Sequence, residues 1–352
     1  MEMSEGALLA LLGFGGGLGL GLAARIGRFC TLGAIEDALY GGSTTRLRAW
    51  ALALAAGILL VHLGAALGLV DFGRSIYAAL AWSPAASIVG GLLFGYGMAL
   101  AGNCGFGALA RAGGGDIRAL VVVISLAISA AMTLGGPLAR LRVTLLPTGP
   151  AEGANWSAAE ALAGLTGLPP LLWAALAAAG FALWALADGA FRRRPRLVLS
   201  ALVVGAAIAS GWVGTSLVAA ESFAPVATGS HSYTAPLAES LFYLMTSSAG
   251  GLSFGVGSVG GVLAGAFLGS IGRRQFRWEA CDDPRELGRQ ILGAALMGVG
   301  GVTALGCSVG QGLTAFSALA WSAPVTLAAI AAGAALGLRQ LIVGIPGWRA
   351  VK

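Results

Sequence analysis

The chain has 352 residues, of which 57% are hydrophobic and only 10% charged, with a net charge of +6. Soluble domains carry about 25% charged residues, so this composition cannot clothe a water-facing surface and it excludes a soluble enzyme. The pI near 9.6 does not point to nucleic acid, because the arginines fall in short loops between apolar segments, where they set membrane orientation.

From the N-terminus, Met1-Glu2-Met3-Ser4-Glu5 is acidic and lacks the basic n-region of a cleavable signal peptide. The first apolar run is therefore expected to stay as a span. Apolar runs follow near 6–25, 49–70, 85–103, 119–136, 169–187, 197–218, 251–272, 290–306 and 322–342. Each can cross about 30 Å of hydrocarbon at roughly 1.5 Å per residue. The stretch 237–250 is too short and reads as a partial or re-entrant helix. Glycine, with 58 residues, stands at about twice its usual ~7%, as suits helices that pack backbone to backbone in lipid. The expected fold is an all-α membrane protein of about nine transmembrane helices, some of them re-entrant or broken.

Nine crossings put the termini on opposite sides. With the N-terminus outside, the inner segments hold eighteen of the twenty-one basic residues, including Arg25, Arg28, Arg46, Arg111, Arg194, Arg196, Arg273 and Lys352. Only Arg74, Arg140 and Arg142 remain outside. This asymmetry predicts N-out, C-in. Trp50, Trp82, Trp173, Trp212 and Trp321 lie near predicted span ends, where indoles serve either as headgroup anchors or as packing residues.

An internal repeat accompanies the spans. The stretch from Gly95 to Gly107 and the stretch from Gly298 to Gly310 share G-x-G-x-x-x-A-x-x-C-x-x-G at an offset of 203 residues. The same offset lays 50–70 on 253–273, and the charge count ends these two on opposite sides. Two inverted repeats are therefore expected, 1–190 and 191–352, divided at the basic loop Arg192–Arg196. Inverted repeats place a transporter's site where the halves meet near the midplane.

Three of the four cysteines precede glycine at one spacing: Cys30 and Gly33, Cys104 and Gly107, Cys307 and Gly310. Cys281, in the charged Cys281-Asp282-Asp283-Pro284 loop, does not fit and reads as inert. C-x-x-G suits a broken helix, where freed N–H groups attract anions and irregular backbone must line a cavity or lie buried in protein. A thiol there adds a weak S–H donor and a soft surface, which suits a sulfur-bearing anion. The plain alternative is a small packing residue. No C-x-x-C exists to support a dithiol oxidoreductase. His62 and His231 are too few and too far apart for a metal site, and no cofactor is expected. His62 reads as a packing or hydrogen-bonding residue inside a span, His231 as part of an outer loop over 219–236. Glu239 is the one carboxylate placed at membrane depth, as a functional acid or a helix-start residue.

At these motifs the sequence resembles the YeeE/YedE family of bacterial membrane proteins, which includes thiosulfate transporters. The resemblance rests on Arg28-Phe29-Cys30-Thr31-Leu32-Gly33-Ala34, on Met98 to Gly107 through Asn103-Cys104-Gly105-Phe106-Gly107, and on Leu305-Gly306-Cys307-Ser308-Val309-Gly310-Gln311-Gly312. It implies an inner-membrane protein that takes up thiosulfate through a constriction, with Cys104 and Cys307 handing the anion along by S–H contacts and Cys30 as a weaker member. Gly105, Gly107, Ser308 and Gly310 belong to the same substrate site. Besides the anion and the surrounding lipid, a cytoplasmic sulfurtransferase of the TusA type is the implied partner. The family pattern has a further thiol early in the second half; here Thr246 to Ser253 supplies hydroxyls instead, which admits sulfite or a selenium species as substrate. The rival class is a membrane-bound persulfide or sulfurtransferase-type enzyme, and a third reading is a scaffold that docks a cytoplasmic partner.

Overall fold

A computed structural model of the chain describes residues 4–147, 149, 156–223, 225–248, 251–280 and 283–344. Among them all regular structure is helical. The first half runs α1 (Glu5–Ile26), α2 (Thr31–Leu39), α3 (Thr45–Ala66), the single turn α4 (Ile76–Ala79), α5 (Pro84–Ala101), α6 (Gly105–Gly113), α7 (Ile117–Leu134) and α8 (Pro137–Leu145). Then come α9 (Ala158–Thr166), α10 (Pro170–Leu186), the turn α11 (Gly189–Arg192), α12 (Pro195–Glu221), α13 (Ala235–Thr246) and α14 (Phe254–Gly272). Last are α15 (Pro284–Thr303), a π-helical segment (Gly310–Ala315) and α16 (Ser322–Val343).

Seven helical stretches among the described residues are long and apolar enough to cross a membrane: α1 with α2, α3, α5 with α6, α7, α12, α14 and α16. Of the other two predicted spans, α10 has only 17 residues. In α15, Arg285, Glu286 and Arg289 occupy the first turns behind the Asp283 cap, which moves its start back from 290 to Pro284. In the stretch predicted as partial, 237–250, the described residues up to Thr246 belong to the short helix α13.

The outward faces are apolar. On α7, Leu120, Ile124, Ile128 and Met132 recur every four residues and are exposed, while Val122, Leu126 and Ala130 turn inward. Exposed apolar surface on this scale marks a membrane-facing wall; the chain is a multi-pass membrane protein.

Inside, small residues let backbones touch. Gly13, Gly17 and Gly21 of α1 face Gly257, Gly261 and Gly265 of α14, and a Cβ on Gly257 would stand 1.9 Å from the Ala10 carbonyl oxygen. α5 packs on α15 and α16 in the same manner, α3 packs on α10 and α12, and α7 on α15. Two of the indoles at predicted span ends belong to this interior: Trp212 is fully buried and Trp50 nearly so. Trp50 stacks on Phe29 at 4.9 Å, and Trp212 Nε1 donates to Ser317 at 3.2 Å.

At the basic face, the α6–α7 and α14–α15 connections are laced together. The Ile117 N–H donates to the Glu279 carbonyl at 3.0 Å and the Glu279 N–H to Gly115 at 3.1 Å. Arg277, bonded at 2.7 Å, holds the Glu279 carboxyl below the usual carboxylate range, with Arg118 adding to the effect.

Candidate functional site

Each C-x-x-G motif falls where a helix is interrupted. Cys30 stands at the residue before α2 and Cys104 at the residue before α6. Between α5 and α6 the chain turns through Gly102 at φ +76°, and after α15 through Leu305 at +56° and Gly306 at +154°. Left-handed values of this kind favour glycine, and they stop both helices just before the thiols.

The spacing has a direct physical cause at two of the three motifs. Cys104 Sγ accepts the N–H of Gly107 at 3.4 Å, and Cys307 Sγ accepts that of Gly310 at 3.4 Å. The sulfur stands in for the usual capping oxygen, three residues before the N–H it satisfies. Cys30 makes no such bond; it is half-buried, whereas Cys104 and Cys307 are each 1% exposed.

The three motifs meet. Cys307 Sγ also accepts the N–H of Tyr233 at 3.3 Å and contacts Ser232 Oγ at 3.8 Å. Ser232 gets that close because residue 310 is glycine: a Cβ there would stand 2.6 Å from Ser232 Oγ. Ser308 accepts from Thr31, the neighbour of Cys30, at 3.2 Å, and its hydroxyl also reaches the Cys104 thiol. Phe106 packs on Tyr233 at 5.3 Å between ring centres, and Gly105 lies beneath the Tyr233 carbonyl. Tyr77 closes the group by donating to the Gly310 carbonyl at 3.2 Å. Thus Cys30, Cys104, Gly105, Gly107, Cys307, Ser308 and Gly310 are one neighbourhood, with hydroxyls and N–H groups around two sealed thiols.

Ser232 and Tyr233 come to this neighbourhood from the segment 225–234, and here the expected outer loop is corrected. His231 is not on a surface loop: it is completely buried, because α1 and α12 make room for the segment. A Cβ on Gly16 would stand 2.2 Å from His231 Nε2, and one on Gly211 would stand 2.3 Å from Ser230 Oγ. His231 Nδ1 bonds Ser258 Oγ at 2.7 Å, which bonds the Tyr233 hydroxyl at 3.1 Å. The His231 carbonyl accepts from Thr314 at 2.7 Å. Replacing His231 with leucine is expected to destabilise the protein by about 1–3 kcal/mol by taking the imidazole away from the buried Ser258 hydroxyl. Asparagine, which can keep the bond to Ser258, is expected to cost less; melting temperatures in detergent would distinguish them.

A polar vestibule of about 300 Å³ leads to Cys30 from the basic face. Arg25, Arg28, Arg46 and Arg111 line it together with Glu36, Asn103 and Gly107. Arg46 approaches so near Gly33 that a Cβ there would stand 2.2 Å from its Nη1, so the third C-x-x-G glycine admits a guanidinium rather than a capped N–H.

Other candidates lie elsewhere. Glu239 is exposed and accepts from Ser253 at 3.1 Å beside the start of α14. His62 is buried and bonds the Ile58 carbonyl of its own helix at 3.0 Å. Cys281 lies outside the described residues. Thr246 is exposed and Ser253 half-buried, and the hydroxyl beside Cys307 is that of Ser232. Sequence reasoning missed Ser232, Tyr233, Thr31 and Tyr77. One signal was present: the offset of 203 residues lays Cys30 on Tyr233, inside a stretch without lysine or arginine.

A family model described as sulphur transport matches residues 26–336. The thiosulfate transporter TsuA of Escherichia coli K12 is 28% identical over 320 residues, 86% of this chain and 86% of that protein. The thiosulfate transporter TsuA of Spirochaeta thermophila is 27% identical over 315 residues, covering 86% and 90%. The family match spans all three C-x-x-G motifs and both sides of the site, and the chain belongs to the sulphur transport family, the YeeE/YedE membrane proteins.

Proposed function

We propose that the protein takes up thiosulfate, or a closely related sulfur-containing anion, across the bacterial inner membrane through the constriction at Cys104 and Cys307. The observation that carries this reading is the set of bonds at Cys307. Its sulfur already accepts two backbone N–H groups, so the S–H is what it has left to offer a passing anion. Cys104 presents the same capped sulfur from the other half. Cys30 then receives the anion at the mouth of a vestibule whose four arginines suit a doubly charged ion. The thiols act as hydrogen-bond donors and stay unmodified.

The architecture that goes with this function has nine crossings, α10 and α15 included, in two inverted halves, 1–190 and 191–352. Packing supports the repeat. Exchanging α1 with α12, α2 with α13, α3 with α14, α5 with α15 and α7 with α16 turns the contacts among these ten helices into others that are present: α1–α14 becomes α12–α3, α5–α16 becomes α15–α7, and α2–α3 becomes α13–α14; α10, packed on α3, stands outside the exchange. The basic surface around the vestibule faces the cytoplasm, with the N-terminus outside, and it offers a landing place for a TusA-like sulfurtransferase. A tag on the C-terminus is expected to react with antibody only after the inner membrane is permeabilised; labelling in intact spheroplasts would reverse the orientation.

Proteoliposomes containing only this chain test the function. Thiosulfate is expected to enter faster than sulfite and much faster than sulfate, and absence of thiosulfate flux would overturn the proposal. Intact-protein mass after exposure to thiosulfate is expected to be unchanged, whereas an added sulfur on a cysteine would favour a persulfide-carrying enzyme.

A further inference from the structure

A second cavity, of about 420 Å³, opens on the basic face beside the vestibule. It lies where the end of α1, the α2–α3 connection, the start of α12 and the end of α14 come together. Five arginines line it (Arg28, Arg46, Arg194, Arg196 and Arg273) against one carboxylate, Asp37. Two of the five are engaged: Arg46 pairs with Asp37 at 3.2 Å, and Arg273 donates to the carbonyls of Arg25 and Ile26 at 3.2 and 2.9 Å. The guanidinium groups of Arg28, Arg194 and Arg196 have no hydrogen-bond or ion-pair partner among the described residues.

A second feature of the cavity points the same way. α12, a helix of 27 residues, begins here, and no side chain caps its first turn. Arg194, Pro195, Arg196 and Leu197 all line the cavity; Pro195 has no N–H and Leu197 donates to the Arg194 carbonyl at 2.9 Å, so the positive end of the helix and the N–H of Arg196 lie at the wall. Guanidinium forks beside an uncapped helix start are the arrangement that binds phosphate oxygens. The volume lies within the roughly 300–1,000 Å³ range of small-molecule sites, more than a single tetrahedral anion fills, and the excess of positive charge calls for a polyanion.

We propose that this cavity binds a phosphate-ester group, carried either by the headgroup of an anionic phospholipid or by a soluble phosphorylated molecule. Basic pockets between transmembrane helices serve the first use. The proposal does not rest on which anion crosses the constriction.

The full chain, purified in neutral detergent, would be titrated with phosphatidylglycerol, phosphatidylcholine, inorganic pyrophosphate and thiosulfate while its melting temperature is followed. The same titrations would be run on R194A/R196A. Neither arginine lines the vestibule, so the variant should take up thiosulfate as the unaltered protein does. Phosphatidylglycerol or pyrophosphate is expected to raise the melting temperature of the unaltered chain, and phosphatidylcholine is not. Apparent affinity should fall about tenfold or more in the variant. A response to the lipid alone identifies a headgroup site; a response to pyrophosphate alone identifies a soluble ligand. No response to either phosphate probe, or an equal response in the variant, overturns the proposal. So does a thiosulfate response that depends on the same two arginines, because Arg28 and Arg46 are common to both cavities and the site would then belong to the transport route. Should the double variant give poor yield, R196Q is expected to weaken phosphate binding in the same direction.

Discussion

Cells that depend on thiosulfate for sulfur are expected to stop growing when Cys307 is replaced by alanine, although the protein still accumulates. The substitution removes the S–H and leaves the N–H groups of Tyr233 and Gly310 without their sulfur acceptor. One hydrogen bond to a charged partner is worth about 1.5–3 kcal/mol, which corresponds to roughly ten- to hundredfold in uptake at low substrate. Cys104→Ala should act in the same direction, since its sulfur satisfies one backbone N–H in place of two. Cys30→Ala should cost less, because Cys30 caps nothing and opens onto the vestibule. Radiolabelled thiosulfate uptake, normalised to protein level, separates these cases. Normal uptake in both the Cys104 and Cys307 variants would remove the thiols from the mechanism.

The second large effect concerns assembly. In Gly257→Leu the new Cβ would meet Ala10 oxygen at 1.9 Å, with the Ala10 carbonyl carbon and Cα at 2.6 and 2.7 Å. All three atoms are backbone, so no side chain can rotate away and α1 must leave α14. Overpacking of ordinary cores costs about 1–3 kcal/mol; with nothing flexible to yield, the cost here is expected at or above the top of that range. Gly260→Leu, one helical turn on, has only Phe14 at 3.8 Å nearby and should be tolerated. Yield of monodisperse protein and melting temperature in detergent report the difference. Equal behaviour of the two variants would mean that the helices are not in contact along this face.

Much of this architecture was legible in the chain because it depends on local rules. Apolar runs became helices close to where they were expected, as with 169–187 and α10. The C-x-x-G spacing was readable for the same reason: a sulfur that caps an N–H three residues ahead needs no partner from elsewhere. What could not be read depends on remote backbone. The burial of His231 requires glycine at position 16, and the contact of Ser232 with Cys307 requires glycine at position 310. No periodicity within 219–236 announces either. Charge misled at α15, whose polar first turns pushed the expected start to 290, although Asp283 bonds the N–H of Arg285 at 2.8 Å and starts the helix at Pro284.

The close seams between helices also constrain how the protein can move. α1 and α14 touch through main-chain atoms along their glycine faces, and α5 meets α15 and α16 in the same way. Rocking one half against the other would prise these ladders open at several rungs together. If the anion passes as proposed, opening falls to the short non-helical links around Cys104, Tyr233 and Cys307 and not to the frame.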